Sequence, residues 1–97
     1  MQIEKRKDGG RLAIAVQGRL DTNTAPELEE ALADAGVTEV EFDFAGLEYI
    51  SSAGLRVLLT AKKALMGSGG KMSVVNANET VRGVFEITGC SELFGLV

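Results

Sequence analysis

The sequence predicts an α/β domain built on a mixed, mostly four-stranded sheet with three to four helices, in the order ββαβαβα(α). Segments with an apolar residue at every second position alternate with segments whose apolar residues recur at helical spacing. That alternation is typical of partly parallel sheets covered by helices. The first two extended segments are separated only by Asp8-Gly9-Gly10, which indicates an antiparallel hairpin and therefore a mixed sheet. The length of 97 residues suits one domain, so we expect residues 1–97 to fold as a single unit.

The hairpin strands are the first two predicted elements. Residues 2–7 predict a short first strand. The second strand follows from Leu12, Ile14 and Val16, which alternate with Ala13, Ala15 and Gln17.

The first helix is predicted by a capping signal and an apolar stripe. Thr24-Ala25-Pro26-Glu27 matches a capping box, in which Thr24 caps the helix and Glu27 reaches back to the Thr24 amide. Gly36 is the expected end of this helix. The residues expected to face the core are Leu28, Ala31, Leu32 and Ala35.

The middle of the chain predicts a third strand and a second helix. Val40, Phe42 and Phe44 alternate with acidic residues, and residues 45–50 are interpreted as a connection. The second helix should start at Ser51-Ser52-Ala53-Gly54 and end in the glycine-rich residues 67–70. Its inward residues are expected to be Leu55, Leu58, Leu59, Leu65 and Met66.

The last third of the chain predicts a short fourth strand at residues 71–75, with Met72 in the core. Asn78 is placed to cap a third helix that ends at Gly89. The residues expected on one face of that helix are Val81, Val84, Phe85 and Thr88. Residues 91–94 are interpreted as one further turn, and Cys90 as a partly buried small residue.

Composition excludes several classes of function. The chain has no histidine, which excludes Ser-His-Asp and Cys-His catalysis as well as histidine-bound metal. One cysteine allows no internal disulfide and no cysteine-cluster zinc site. The net charge of −4 argues against direct binding of nucleic acid. No apolar run approaches the ~20 residues that span a bilayer, so we expect no membrane insertion and a cytoplasmic location.

Ser51 and Ser52 place two hydroxyls at the start of the predicted second helix. One serine is enough to cap a helix, a contribution of about 1 kcal/mol. The second serine could accept a phosphate, which the exposed amides and the positive end of the helix dipole would favour. The residues alone leave both interpretations open, and capping is the simpler one.

Two motifs give the chain a resemblance to a known family. Residues 43–59, which contain Ser51-Ser52-Ala53-Gly54-Leu55, resemble the signature of STAS domains, the family of the bacterial anti-sigma-factor antagonists. The earlier run Gly18-Arg19-Leu20-Asp21-Thr22-Asn23 resembles the family's Gly-x-Leu-Asp stretch. The element order and length also agree, and the resemblance covers essentially the whole chain. It implies a STAS-like fold.

The resemblance also implies a function in bacterial transcription regulation by partner switching. In the family, the antagonist binds a serine-kinase anti-sigma factor and frees a sigma factor. The kinase inactivates the antagonist by phosphorylating it, and a phosphatase restores it. This chain would then be a non-enzymatic binding module without a cofactor, since ATP belongs to the kinase.

The family motif assigns roles to particular residues of this chain. By position, Ser52 would accept the phosphate. Ser51 is the second choice, because it stands where many antagonists carry Asp. The residues implied in partner binding are Asp21, Thr22, Asn23, Ser51, Ser52, Gly54 and Arg56.

Three other interpretations are open. The chain could be the STAS subunit of a membrane lipid-transport or other signalling assembly, without phosphorylation. It could be an enzyme or nucleotide-binding protein that uses Asp21, Asp43 and Glu48, although no histidine and no phosphate loop are present. It could also be a structural adaptor whose binding is insensitive to substitution of Ser52.

Overall fold

The computed structural model describes residues 1–33, 36–67 and 69–89, which contain five strands and three helices. In chain order they are β1 (Gln2–Asp8), β2 (Arg11–Leu20), α1 (Ala25–Ala33), β3 (Glu39–Asp43), β4 (Leu47–Ile50), α2 (Ser52–Gly67), β5 (Lys71–Val75) and α3 (Glu79–Ile87). The expected mixed α/β fold is confirmed, and the sheet has a fifth strand beyond the four expected. Cys90 and the turn expected at residues 91–94 lie outside the described residues.

Strand β2 is the centre of the sheet. β1 runs antiparallel to it through the hairpin, β3 pairs in parallel with residues 11–15, and β4 pairs in parallel with residues 18–20. β5 pairs in parallel with β3, so the strand order is β1-β2-β3-β5, with β4 beside the end of β2. Strands β2 and β4 therefore end side by side.

Strand β4 is absent from the predicted elements because its buried residues do not alternate. Leu47 and Ile50 are both buried but stand three positions apart, whereas a strand with one buried face has a period of two. The pairing with β2 accommodates this spacing by a register shift between Gly18 and Arg19. The resulting pairs are Gly18 with Leu47, Arg19 with Tyr49 and Leu20 with Ile50.

The hydrophobic core lies between one face of the sheet and the helices. Alternate residues of β2, β3 and β5 are buried, as the two-residue periodicity predicts. Asn78 caps α3 as expected, because its side-chain oxygen accepts a hydrogen bond from the Val81 amide at 2.9 Å. The largest fully buried side chains are Phe42, Phe44, Phe85, Ile14, Leu20, Leu28, Leu47, Ile50 and Leu58.

Met66 was expected in the core, but the structure exposes it. Its exposed fraction is 63%, while the preceding Leu65 is buried and Met72 lies in the core as expected. Successive helical residues point about 100° apart around the axis. Leu65 therefore takes the buried direction in the last turn of α2, and Met66 points away from it.

Gly54 sets how closely α2 approaches the sheet. It is buried, and a Cβ atom at this position would lie 2.7 Å from Leu20 Cγ and 2.9 Å from Ile50 Cγ1. Separations below 3.0 Å essentially never occur for real Cβ atoms. The first turn of α2 can therefore rest directly on the ends of β2 and β4 only without a side chain here.

The substitution Gly54→Ala should lower the free energy of unfolding by about 1–3 kcal/mol, because the added methyl overpacks the contact between α2 and the two strand ends. The measurement is chemical denaturation of the wild type and the variant.

Gly83→Ala is the matched control in α3. No atom of the described residues lies within 4 Å of the point where a Cβ would stand, so this variant should gain about 0.4–1 kcal/mol from reduced unfolded-state entropy. Equal effects of the two substitutions would contradict the packing role of Gly54.

Candidate functional site

The candidate site lies where β2 and β4 end. The Ser51 amide donates a hydrogen bond to the Leu20 carbonyl at 2.9 Å, so the loop after β2 and the start of α2 leave the sheet as neighbours. The carboxyl ends of parallel strands are the usual position of binding sites in α/β folds. The two sequence motifs, residues 18–23 and 43–59, thus meet at one edge.

The loop between β2 and α1 is organised by Asp21. Its carboxylate accepts hydrogen bonds from the amides of Asn23 at 3.0 Å and Thr24 at 3.1 Å. Its carbonyl accepts from the Ala25 amide at 2.8 Å, which fixes the first residue of α1. Asp21 is therefore a structural acceptor as well as part of the surface.

The capping box expected at Thr24 is wrong. The Thr24 hydroxyl donates to the Arg19 carbonyl at 2.8 Å and accepts from the Asp21 amide at 2.9 Å. The Thr24 amide is taken by Asp21, so Glu27 is not its partner. Asp21 holds this loop together, because its carboxylate accepts the Thr24 amide hydrogen that a capping box would use.

The same hydrogen bonds lower the pKa of the Asp21 carboxyl below its usual 3.8. The Thr24 amide is the largest cause, and the Asn23 amide and the positive charge of Arg19 act in the same direction, against a smaller opposing effect of burial. Hydrogen bonds to the ionised form favour that form. Asp21 is thus charged in the folded protein well into the acid range.

The two serines have different environments. Ser51 is half-buried and is the N-cap of α2, since its carbonyl accepts from the Leu55 amide at 3.0 Å and its hydroxyl from the Gly54 amide at 3.4 Å. Ser52 is the first residue of the helix and is exposed. Among the described residues, no group hydrogen-bonds the Ser52 hydroxyl. Capping therefore accounts for Ser51 and leaves Ser52 uncommitted.

A groove between α1 and α2 opens beside the serines. It has a volume of about 200 Å³, and its lining includes Thr22 from the loop and Arg56 from α2. Thr22, Asn23 and Arg56 are all exposed. The structure therefore brings these three expected partner-binding residues to the same edge as Ser52.

Gly54 is the exception among the expected partner-binding residues. The family motif places it among them, but it is buried, and a Cβ at this position would lie against Leu20 and Ile50. The close approach that Gly54 allows within the chain is therefore the one between α2 and the sheet.

Sequence reasoning missed a pair of side chains at this edge. The Arg19 guanidinium lies over the Tyr49 ring, 4.5 Å from its centroid, in a cation–π contact. The pair could not be found from the sequence, since β4 was not among the predicted strands and only the register shift sets Arg19 opposite Tyr49.

The three carboxylates considered for chemistry lie in separate environments. Asp43 accepts hydrogen bonds from the Ala45 amide at 3.0 Å and the Asn76 side chain at 3.1 Å, and Asp21 is bound within its own loop. Glu48 is exposed on β4. Within the described ranges, no group of three or more potential metal-binding side chains is found.

The site is a surface of polar side chains at the ends of β2 and β4, and it contains no cluster of catalytic or metal-binding groups within the described ranges. The sequence profile of the STAS domain matches residues 2–97, and this chain belongs to the STAS domain family. Members of that family that act as anti-sigma factor antagonists are generally binding modules and not enzymes.

Two relatives with similar sequences are named as antagonists of anti-sigma factors. BtrV of Bordetella bronchiseptica, named as an anti-sigma factor antagonist, is 38% identical over 97 residues, which cover 97% of this chain and 84% of that protein. The anti-sigma-B factor antagonist of Listeria monocytogenes is 32% identical over 92 residues, covering 92% of this chain and 81% of that protein.

Solved structures agree with the fold. An anti-sigma factor antagonist from Mycobacterium paratuberculosis superposes with a TM-score of 0.87 at 26% identity, over 98% of this chain and 83% of that one. Unphosphorylated SpoIIAA has a TM-score of 0.89 at 21% identity, over 99% of this chain and 86% of that one. A sulfate transporter family protein from Wolinella succinogenes shares the fold with a TM-score of 0.75 at 15% identity, over 89% of this chain and 72% of that one.

None of the helices in the described part of the chain has both the length and the apolar character required to cross a bilayer.

Alanine substitutions of the two serines should have different effects on the stability of the protein. Ser51→Ala should lower the free energy of unfolding by about 1 kcal/mol through loss of the cap. Ser52→Ala should change it by less than about 0.5 kcal/mol, as is usual for exposed positions without a partner. Urea denaturation of both variants tests this, and a larger loss for Ser52→Ala would show that the cap is assigned to the wrong serine.

Asp21→Asn should lower the melting temperature at pH 7, because the amide accepts hydrogen bonds from Asn23 and Thr24 less strongly than the carboxylate does. A lowered folded-state pKa stabilises the protein above the unfolded-state value and loses that effect as pH falls through the folded-state value. The difference from wild type should therefore shrink below pH 3.8. Glu30→Gln is the control, because it removes the same charge at an exposed position of α1. It should show no comparable loss of melting temperature at pH 7.

Proposed function

We propose that this chain is an anti-sigma factor antagonist that docks on a serine-kinase anti-sigma factor and is switched off by phosphorylation of Ser52. The observation that carries the proposal is the difference between the serines: Ser51 caps α2, while the exposed Ser52 hydroxyl has no partner among the described residues. The docking surface would comprise Asp21, Thr22, Asn23, Ser51, Ser52 and Arg56.

The position of Ser52 suits a reversible charge change. A kinase must reach the hydroxyl, and Ser52 is exposed at the first residue of α2. Phosphate would add about −1.5 to −2 charge beside the positive end of the α2 dipole, where an anion is tolerated. Because Ser51 still provides the cap, the modification would change the surface without removing the contact that starts the helix.

Phosphorylation would act on docking through charge and desolvation. The net charge of −4 would approach about −6. A phosphate inside an interface must lose water and face whatever the partner presents to the unmodified serine. Docking would therefore weaken without any rearrangement of the fold.

The proposed role places the chemistry in the partners. The anti-sigma factor would supply ATP and the kinase, and a phosphatase would remove the phosphate, so this chain needs neither a catalytic residue nor a cofactor. The exchange would take place in the cytoplasm, and it would affect transcription through a released sigma factor, with no direct contact to nucleic acid or insertion into a membrane.

A second candidate is a STAS subunit that is never phosphorylated. The fold is also found in a sulfate transporter family protein, and the groove lined by Thr22 and Arg56 could serve a stable subunit contact. In that case Ser52 would be a contact residue in a membrane-transport assembly.

The test uses tagged wild-type, Ser51→Ala and Ser52→Ala proteins in lysate of the native cell with ATP, followed by mass spectrometry. We expect phosphate on Ser52 in the wild type and Ser51→Ala, and a kinase-like partner retained by Ser52→Ala. Purified phosphoprotein should bind that partner at least about tenfold more weakly than the unmodified protein.

Two results would contradict the proposal. Phosphate that is still present on the Ser52→Ala protein would show that another residue is the acceptor. No phosphate at all, with a transport protein bound equally by the three proteins, would establish the second candidate.

A further inference from the structure

The Arg19–Tyr49 pair stands beside the proposed docking surface but has no part in the fold's core. Arg19 is exposed, and Tyr49 is half-buried beneath its guanidinium at 4.5 Å. Stacking on an aromatic ring limits the conformations of an otherwise flexible side chain. Arg19 is thus held in place before any partner arrives.

The register shift decides what Arg19 faces. Without it, Arg19 would lie opposite Glu48, the residue that follows Leu47 in β4, and the two would form an ordinary cross-strand ion pair. With it, Arg19 lies opposite Tyr49. Irregularities of this kind often re-aim a side chain next to a functional site.

Within residues 1–33, 36–67 and 69–89, no carboxylate forms an ion pair with the Arg19 guanidinium. Both salt bridges found among the described residues are made by Arg11, with Glu39 and Glu41. Asp21 is close enough for Arg19 to act on it electrostatically, but no carboxylate of the described residues reaches the 4 Å of an ion pair with Arg19. The planar group therefore keeps its hydrogen-bond donors available.

The direction of Arg19 separates it from Ser52. Successive side chains of a strand point to opposite faces of the sheet, and the next residue, Leu20, is buried beneath Gly54 of α2. Arg19 therefore points to the face away from α2. A phosphate on Ser52, in the first turn of that helix, is on the other side of the strand.

We propose that Arg19, held on Tyr49, is a specificity-determining contact that binds a carboxylate of the anti-sigma factor at the same edge of the sheet. The guanidinium fork matches a carboxylate with two parallel hydrogen bonds. Arginine and tyrosine are also the residue types that most often carry interface energy. This inference rests on the proposed function, because it takes the docked partner to be an anti-sigma factor.

The experiment measures by calorimetry the affinity for the kinase-like anti-sigma factor that the lysate experiment is expected to recover, produced in pure form. Arg19→Gln should raise Kd about tenfold, as loss of one charge-assisted contact does. Arg19→Lys keeps the charge but loses the planar guanidinium fork, so its Kd should lie between those of the wild type and Arg19→Gln. Tyr49→Phe should bind like the wild type, whereas Tyr49→Ala should weaken binding about threefold by releasing the guanidinium.

Arg6→Gln is the control for net charge. Arg6 is exposed and pairs with Ala13 of β2, which is six residues, or about 20 Å, from Arg19 along that strand. Its Kd should change by less than about twofold, as expected for a distant surface charge. Rescue of Arg19→Glu by a Lys substituted for one acidic residue of the partner would identify the carboxylate, and melting temperatures would verify that every variant is folded.

Three results would overturn the inference, and they are distinguishable. If the wild type and Arg19→Gln bind equally, the inference is wrong and the proposed function stands. If Arg19→Gln leaves the affinity of the unmodified protein unchanged but alters the pH titration of the phosphorus resonance of phosphorylated Ser52, Arg19 contacts the phosphate and not the partner. If no anti-sigma factor binds the wild type, the proposed function is wrong and the inference falls with it.

Discussion

The contact of Gly54 with Leu20 and Ile50 is the constraint on which the rest of this structure depends. It requires the ends of β2 and β4 to lie side by side, which the register shift achieves by setting Leu20 opposite Ile50. It also requires the first turn of α2 to rest on those ends without a side chain between. Everything proposed to be functional lies within a few residues of this contact. The glycine of the family motif therefore serves the fold, and its neighbours form the surface.

That arrangement separates the structural role of Ser51 from the proposed regulatory role of Ser52. Ser51 is half-buried and caps α2, whereas Ser52, one position further, is exposed and has an uncommitted hydroxyl. Asp21 closes its own loop through the amides of Asn23 and Thr24. A charge added to Ser52 would thus fall on a frame already stabilised by other groups. This is the property that a reversible switch needs, because both forms must remain folded.

The edge carries a cation and the proposed phosphate acceptor on the two faces of one strand end. Arg19 points away from α2, while Ser52 lies on the helix side, and Asp21 continues the strand between them. The chain as a whole is acidic, with a net charge of −4, so a cation fixed at this edge is a local departure from its average. Such local patterning, more than total charge, selects one partner over others.

The sequence by itself determined the mixed α/β class, the hairpin, the helix starts at Ser52 and after Asn78, and the alternation that buries Ile14 and Phe42, because local periodicity and capping carry that information. Only the tertiary structure decided the rest. Strand β4 lacks the period of two, so its existence depended on pairing with β2. Met66 has a spacing compatible with the core, but its neighbour Leu65 takes the buried direction in that turn. The roles of Gly54 and Arg19 followed from the residues that lie against them, and contacts between distant segments are not written in the local pattern of either one.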